Sequence, residues 1–206
     1  MYKKPIIVFE GIEGSGKTTH IKNVLNYLKK KKIKFINLRE PGGNKNSELI
    51  RKFILNKKSD LHIVSDLLLY LAARNENINK IIKKNYKKKV IIIDRFVDST
   101  IAYQHYGMNI SLKFINLIND FLTKDLNIDY TFLNTVSINN LKIRLKKRRN
   151  LNKYDKFNSY FYTKVQKGYL KLAKNKKNYL IVNSDKDISL NKKIIINKIE
   201  KLIYNK

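Results

Sequence analysis

The chain has 206 residues, 43% of them hydrophobic, and a formal net charge of +29. This length favours a single domain, 1–206, with a sizeable core, since no linker or repeat divides it. Because there is no cysteine, disulfides and thiolate metal sites are excluded, and no apolar run approaches the roughly 18–20 residues of a membrane span. The N-terminus carries no signal-peptide pattern, so we expect a cytoplasmic protein without a membrane partner.

The positive charge is spread along the whole chain. The lysines occur with abundant Asn and Ile, a combination typical of AT-rich coding sequences. We therefore expect a solvated basic surface and no specific nucleic-acid partner. A basic nucleic-acid-binding protein is the alternative from another class, and it predicts tight, salt-sensitive DNA binding. The absence of a localised basic tail or an aromatic stripe argues against it.

The first motif lies between an apolar run at 6–9, which predicts a buried strand, and a helical pattern that begins at Lys17. Gly11 is followed by four residues and then by Gly16, Lys17 and Thr18, which is the Walker A spacing. Such a turn aims backbone N–H groups and the positive end of a helix dipole at one point, where phosphate binds. We expect Lys17 to reach the β and γ phosphates of a nucleoside triphosphate and the Thr18 hydroxyl to hold Mg²⁺.

A second strand is predicted at 33–38, followed by the Pro- and Gly-containing loop 39–43 and a short helix at 47–55. A longer helix, capped by Ser59 or Asp60, contains Tyr70 and Arg74 and is apolar on more than one face, which indicates deep burial or a subunit interface. Tyr70 and Arg74 are one turn apart, so a planar base could stack on one while the other binds its edge. Spacing alone favours a core tyrosine and a surface arginine instead.

The third predicted strand, 90–93, ends in Asp94 and Arg95, which is the Walker B pattern. The carboxyl end of a parallel strand is where ligands bind in open α/β folds. Asp94 is therefore a candidate to hold Mg²⁺ through water, and Arg95 a candidate to bind a second phosphate group. An ordinary strand-end ion pair is the alternative interpretation.

The rest of the chain continues the alternation of strands and helices. Helices are predicted at about 97–106, at 111–123, from 137 to the arginines near 148, and at 188–203. A further helix is predicted after the polar residues 150–156 and ends at about 173. Strands are predicted at 130–133 and 179–182, and the polar residues 150–156 are predicted to form a mobile loop. This order indicates parallel βαβ units in a three-layer α/β sandwich.

Arginine stands out because lysine greatly outnumbers it in this chain. Where lysine is the background, a retained arginine is a candidate for planar, bidentate contact with a phosphate or a base edge. The candidates are Arg39, Arg51, Arg74, Arg95, Arg144, Arg148 and Arg149. The stretch 152–155 matches the N-K-x-D motif of GTPases, but no strand precedes it, so we reject that interpretation.

Four blocks together resemble the bacterial thymidylate (dTMP) kinase family. They are Phe-Glu-Gly-Ile-Glu-Gly-Ser-Gly-Lys-Thr-Thr at 9–19, Arg-Glu-Pro-Gly-Gly at 39–43, Tyr-Leu-Ala-Ala-Arg at 70–74 and Asp-Arg-Phe-Val-Asp-Ser-Thr-Ile-Ala-Tyr-Gln at 94–104. They stand in the family's order and spacing, and the resemblance covers essentially the whole chain. It implies a P-loop NTPase fold with a five-stranded parallel sheet flanked by helices, a homodimer, and transfer of a phosphoryl group from ATP to dTMP with Mg²⁺. A related nucleoside monophosphate kinase is the second enzyme interpretation.

The resemblance also implies roles for individual residues. ATP would be bound by Gly11, Ile12, Glu13, Gly14, Ser15, Gly16, Lys17, Thr18 and Arg144. The substrate dTMP would be bound by Glu13 at the sugar 3′-hydroxyl, by Tyr70 and Arg74 at the base, by Arg95 with Arg39 or Arg51 at the phosphate, and by Ser99, Thr100 and Gln104. The catalytic set would be Lys17, Glu13, Arg95, Arg148 and Arg149, and the metal ligands Thr18 and Asp94.

The chain departs from the family at the lid, which the resemblance places at about 144–156. The family's Asp-Arg-x-Glu pattern is Asn152-Lys153-Tyr154-Asp155 here. A lysine cannot reproduce the bidentate contact of a guanidinium, so Arg148 or Arg149 would have to supply it. The family's later Arg-Val-Arg pattern is Lys164-Val165-Gln166.

Overall fold

The computed structural model describes residues 3–148 and 152–204. Its sheet contains five parallel strands in the order β2-β3-β1-β4-β5. The strands are β1 (Ile6–Glu10), β2 (Phe35–Arg39), β3 (Val90–Asp94), β4 (Tyr130–Thr135) and β5 (Tyr179–Asn183). The predicted α/β class and five-stranded parallel sheet are confirmed.

Helices cover both faces of this sheet. Their bounds are α1 (Lys17–Lys30), α2 (Lys45–Ile54), α3 (Ile63–Asn77), α4 (Lys83–Asn85), α5 (Val97–Thr100), α6 (Leu112–Thr123), α7 (Ile138–Lys146), α8 (Ser159–Ala173) and α9 (Ile188–Tyr204). Several begin where the side chain of a capping residue accepts a hydrogen bond from a free backbone N–H: Asn44, Ser111, Ser137 and Asn158. Within the described residues, no helix is long and apolar enough to cross a bilayer.

The central strand β1 is buried along its full length. Because successive side chains of a strand point to opposite faces, its residues feed two cores. On one face Ile7 and Phe9 pack with Val24 and Leu28 of α1 and with Ile199 of α9. This two-sided burial explains why β1 and β3 are continuous apolar runs instead of alternating ones.

The opposite face forms a second core, in which Ile6 and Val8 pack with the Ile78–Ile82 π-helical turn and with Phe96. The register pairs Phe9 with Asp94, so the carboxyl ends of β1 and β3 lie side by side. Both the glycine loop that follows β1 and the Asp94–Arg95 pair that ends β3 therefore open on the same edge of the sheet.

One prediction about local structure, near α3, was wrong, and one near α5 is confirmed with a difference in helix type. The cap of α3 is His62, whose Nδ1 accepts a hydrogen bond from the backbone N–H of Val64 at 3.4 Å, and not Ser59 or Asp60. The predicted helix at 97–106 is confirmed: α5 continues without a break as the π-helix Ile101–Gly107. A hydrophobic period near four does not distinguish these two helix types.

The polar stretch 150–156 was predicted as a mobile loop. Its described part contains a 3₁₀ helix, Lys153–Lys156, with Asn152 as its cap. Asn152 and Asp155 form a reciprocal capping box. The Asn152 side chain accepts a hydrogen bond from a backbone N–H of the turn, and the Asp155 carboxylate accepts one from the Asn152 backbone N–H. The polar residues therefore build a helix terminus instead of a solvated loop.

Candidate active site

One large cavity, of about 1070 Å³, lies at the carboxyl edge of the sheet. It is lined by most of the residues that the sequence singled out: Glu13, Gly14, Ser15, Gly16, Lys17, Thr18, Arg39, Arg51, Tyr70, Arg74, Asp94, Arg95, Ser99, Thr100, Gln104, Arg144 and Arg148. Gly11 and Ile12 are buried behind it, and Arg149 lies outside the described residues.

The glycine loop after β1 has the conformation that only glycine adopts easily. Gly14 and Gly16 have φ of 64° and 82°, and Gly11 has φ of 135°. A Cβ on Gly11 would overlap the carbonyl oxygen of Asn134. Gly16 is the residue that precedes α1 and it brings no side chain to the helix terminus. Lys17 and Thr18, the first residues of α1, therefore line the cavity at a helix terminus without a side-chain cap, as a phosphate site requires.

Lys17 is buried at the start of α1. Its Nζ donates to the carbonyl oxygens of Gly11 at 2.8 Å and Ile12 at 2.9 Å. Burial is the main cause that lowers the pKa of Lys17 to about 8, and the charge of Arg95 adds to it. An anion in the cavity would reverse that effect, because it would favour the charged ammonium.

Ile12 was predicted to bind ATP, but its side chain packs in the core with Leu133, Val136 and Leu141. Its carbonyl oxygen instead accepts from the Ser15 hydroxyl at 2.7 Å and so shapes the loop.

Arg144 connects this loop to the far edge of the sheet. Its guanidinium donates to the carbonyl oxygens of Gly14 and Ser184, both at 2.7 Å. The loop that follows β5 is thereby attached to the glycine loop that follows β1.

Arg95, at the end of β3, has a positive φ of 68° and is held from several sides. It donates to the Gly11 carbonyl and to the Glu13 carboxylate, both at 2.9 Å. Its guanidinium lies over the ring of Tyr103 at 5.2 Å, and the Tyr103 hydroxyl donates a very short hydrogen bond to Glu13. These contacts fix a positive charge in front of the glycine loop.

A buried carboxylate supports the backbone behind Arg95. Glu10 accepts from the Phe96 N–H at 2.8 Å, from the Ser99 hydroxyl at 2.5 Å and from the Tyr169 hydroxyl at 3.2 Å. Burial, with a smaller contribution from Asp98, raises the pKa of Glu10 to about 7. The turn that carries Arg95 is thus tied to β1.

Arg74 is almost completely buried, at 2% exposure, although spacing alone favours a surface arginine. It donates to Glu40 at 2.8 Å, to Asn119 at 2.6 Å and to the Phe96 carbonyl at 2.8 Å. A guanidinium has five N–H groups, so two remain for a ligand in the cavity.

Two further arginines border the cavity near the loop 39–43. Arg51 donates to the Pro41 carbonyl at 2.6 Å, and Arg39 pairs with Glu48 at 3.0 Å. Arg39 is largely exposed, so this pair contributes little to stability and leaves the guanidinium available to an anion.

Sequence reasoning missed two tyrosines, Tyr103 and Tyr154. Tyr103 lies one helical turn after Ser99, and that spacing was a usable signal. Tyr154 had no such signal, because it stands among polar residues and its contacts with Asp66 and Tyr70 are distant in sequence.

Asp94 and Thr18 both line the cavity, and Asp94 has an oxygen, Oδ1, that is buried without a hydrogen-bond partner among the described residues. An acceptor of this kind suits a hydrated Mg²⁺. No cluster of three or more His, Asp or Glu suited to a metal occurs in the described ranges.

A glycine loop between strand and helix, an Asp-Arg pair at the neighbouring strand end and several arginines around one cavity define a P-loop phosphotransferase. The sequence model of the family described as thymidylate kinase matches residues 9–195. A thymidylate kinase of Thermosipho africanus is 38% identical over 183 residues, which cover 88% of this chain and 90% of that protein.

A thymidylate kinase of Mycoplasma capricolum is also 38% identical, over 187 residues and 88% of each chain. The crystal structure of thymidylate kinase from Ehrlichia chaffeensis superposes with a TM-score of 0.77 at 32% identity, covering 96% of this chain and 98% of that one. The chain belongs to the thymidylate kinase family.

Proposed function

We propose that this site transfers the γ-phosphoryl group of ATP to the phosphate of dTMP, giving dTDP and ADP for dTTP synthesis. The main support for this activity is that nearly the whole chain matches the thymidylate kinase family. The observation that supports the site assignment is a single cavity that joins the glycine loop to Arg95, Tyr70 and Arg74. We also propose that the chain forms a single domain and that the enzyme works in the cytoplasm, where ATP is supplied.

The donor side of the cavity would bind the triphosphate. The N–H groups of the glycine loop and of the first turn of α1 would surround its phosphates. Lys17 would turn from the Gly11 and Ile12 carbonyls to the β and γ phosphates, a short movement of a flexible side chain. Thr18 and Asp94 would hold Mg²⁺, which supplies charge neutralisation when bound.

The acceptor side would bind dTMP. Tyr70 would stack on the thymine while the two free N–H groups of Arg74 face its edge, near Thr100 and Gln104, with Ser99 beside them. Arg95, with Arg39 or Arg51, would hold the monophosphate. Glu13 would bind the sugar 3′-hydroxyl, for which it must keep one carboxylate lone pair free besides those used by Arg95 and Tyr103.

In-line phosphoryl transfer needs alignment and neutralisation of charge more than covalent help. Lys17 and a lid arginine would balance the charge of the transferring group. Arg148 is the described candidate for that arginine, because it borders the cavity and its guanidinium is held by Asp155. Closure of the lid, 144–156, would exclude water that otherwise hydrolyses ATP.

The test is a coupled ADP-release assay with ATP and Mg²⁺ across dTMP, dUMP, dCMP and AMP. We expect a strong preference for dTMP. Comparable turnover of another monophosphate would indicate a related nucleoside monophosphate kinase. No transfer to any free nucleotide, together with tight and salt-sensitive DNA binding, would indicate the nucleic-acid-binding alternative.

A homodimer is also proposed, through the outer faces of α2, α3 and α6, which lie side by side. These faces expose large apolar side chains: Phe53 at 51%, Leu68 at 47%, Leu117 at 69% and Phe121 at 70%. Apolar side chains clustered in this way are typical of a subunit interface. The resemblance to a dimeric family supports the same assembly.

Sedimentation of Phe121→Lys tests this face, because a buried lysine would oppose association. We expect a monomer, whereas Ile188→Lys, at another exposed apolar position on α9 (59% against 70% for Phe121), should remain a dimer. A dimeric Phe121→Lys would exclude this interface.

A further inference from the structure

Asp66 is a buried carboxylate in the first turn of α3, with 2% exposure. Its Oδ2 accepts a hydrogen bond from the Tyr154 hydroxyl at 2.6 Å and lies 3.5 Å from the Lys153 ammonium. Its Oδ1 is buried and has no partner among the described residues. A buried carboxylate is costly unless it is paired, so both of its partners matter. Both come from the segment 152–156.

The partner Tyr154 is itself buried, at 4% exposure. Burial is the largest cause that raises the pKa of Tyr154 well above its ordinary value, so its hydroxyl stays protonated and donates at neutral pH. The ring meets Tyr70 edge-on at 6.0 Å and Tyr103 at 5.9 Å. The Tyr154 side chain therefore contacts both Asp66 and two aromatic residues that line the cavity, Tyr70 and Tyr103.

Asp66 and Tyr70 are four residues apart on α3 and so lie on the same face. Tyr154 spans this pair: its hydroxyl reaches the carboxylate and its ring reaches the Tyr70 ring. Two backbone contacts hold the segment in the same place. The Lys153 N–H donates to the Leu55 carbonyl at 3.4 Å, and the Tyr162 hydroxyl donates to the Tyr154 carbonyl at 2.7 Å.

We propose that Asp66 is a positioning residue for the acceptor nucleotide: its carboxylate holds Tyr154 against Tyr70 and fixes segment 152–156 on the acceptor side of the cavity. This inference rests on the proposed function, in which Tyr70 stacks on the thymine. The segment, which the resemblance assigns to a lid over ATP, then also builds a wall of the dTMP site.

The same arrangement connects the acceptor side of the cavity to Arg148, the candidate for the lid arginine. Asp155, the residue after Tyr154, forms a very short ion pair with Arg148. A displacement of Tyr154 moves Asp155 with it, because both belong to one 3₁₀ turn. Asp66 thus acts on Arg148 through this turn, and binding of dTMP beside Tyr70 and alignment of Arg148 become coupled.

The test compares Tyr154→Phe, Asp66→Ala and their double variant by steady-state kinetics with each substrate varied in turn. We expect KM for dTMP to rise about tenfold in each single variant, with a lower kcat and with KM for ATP within twofold. A tenfold rise in KM is about the loss in binding expected when a hydrogen bond to a charged group is removed. Because the Tyr154–Asp66 hydrogen bond is already lost in each single variant, the double variant should lose no more than Asp66→Ala alone.

Two controls separate positioning from general damage. Asp66→Asn keeps an oxygen acceptor for the Tyr154 hydroxyl, so its KM for dTMP should stay within about threefold of the parent. Tyr160→Phe removes the same hydroxyl from a neighbouring tyrosine that is 71% exposed, and it should change neither KM. If Asp66→Ala does not fold, Tyr154→Phe alone carries the test: its KM for dTMP must rise about tenfold while its KM for ATP stays within twofold.

Three results would overturn the inference: parallel changes in both KM values, effects that multiply in the double variant, or parental kinetics in Tyr154→Phe. Tyr70→Ala separates this failure from that of the proposed function. If Tyr70→Ala raises KM for dTMP while Asp66 and Tyr154 variants do not, only the positioning role is wrong. If Tyr70→Ala leaves KM for dTMP unchanged, the acceptor assignment itself fails.

Discussion

Replacing Arg74 by alanine should destabilise the protein strongly, in addition to weakening dTMP binding. Arg74 is buried and its ion pair with Glu40 is buried on both sides, at 2% and 4% side-chain exposure. Removing one partner leaves a buried carboxylate without its counter-charge, which costs about 3–5 kcal/mol. For a chain of this length that loss lowers Tm by about 10 °C.

The loss of stability in Arg74→Ala should also depend on pH. Burial raises the pKa of Glu40 above its ordinary value, and the Arg74 charge opposes that rise. In Arg74→Ala the opposition is gone, so the pKa of Glu40 in the folded variant lies further above its value in the unfolded chain. Stability is then retained at low pH and lost as pH rises through the folded-state pKa, by up to about 1.4 kcal/mol per pH unit.

Urea unfolding followed by circular dichroism at pH 6 and pH 8 measures this. We expect Arg74→Ala to be closer to the parent at pH 6, and the second substitution Glu40→Gln to remove that pH dependence. Arg39→Ala is the control, because its pair with Glu48 is exposed and should contribute less than about 1 kcal/mol. A loss below about 1 kcal/mol in Arg74→Ala, or one equal at both pH values, would refute the reasoning.

Three further substitutions probe the donor side. Lys17→Met should lower kcat at least 100-fold while Tm stays within a few degrees, since it removes charge at the transferring phosphate; near-parental activity would contradict its assignment. Gly11→Ala should cost more than about 2 kcal/mol in thermal unfolding and abolish ATP binding, because the added Cβ meets the Asn134 carbonyl at a positive φ. Arg144→Ala should raise KM for ATP by about tenfold with KM for dTMP little changed, since it frees the Gly14 and Ser184 carbonyls; a rise in both would indicate a wider role.

The local motifs were predictable from the sequence because each depends on near neighbours. The glycine spacing of 11–18 and the apolar run ending at Asp94 specify strand, turn and helix within about ten residues. The parallel sheet followed from the alternation of strands and helices. The strand order is a long-range property, and it could not be read from the same patterns.

The polar contacts of the site were less predictable. The burial of Arg74 depends on Glu40, 34 residues before it, and on Asn119, 45 residues after it. Tyr154 is buried against Asp66, 88 residues earlier in the chain. No periodicity within a helix or strand encodes such pairs, so a polar segment such as 152–156 was taken for a loop.

The attachment of the glycine loop to the loop after β5 bears on synthesis in the cell. The first strand leaves the ribosome early, yet the Gly14 carbonyl and the backbone at Ser15 receive hydrogen bonds from Arg144 and Ser184. Contacts between such distant residues form late, because a long stretch of chain must first be closed. A nascent chain that stops short of Ser184 therefore carries a complete Walker A sequence without a finished nucleotide site, and ATP begins to stabilise the protein only after the loop that follows β5 has been made.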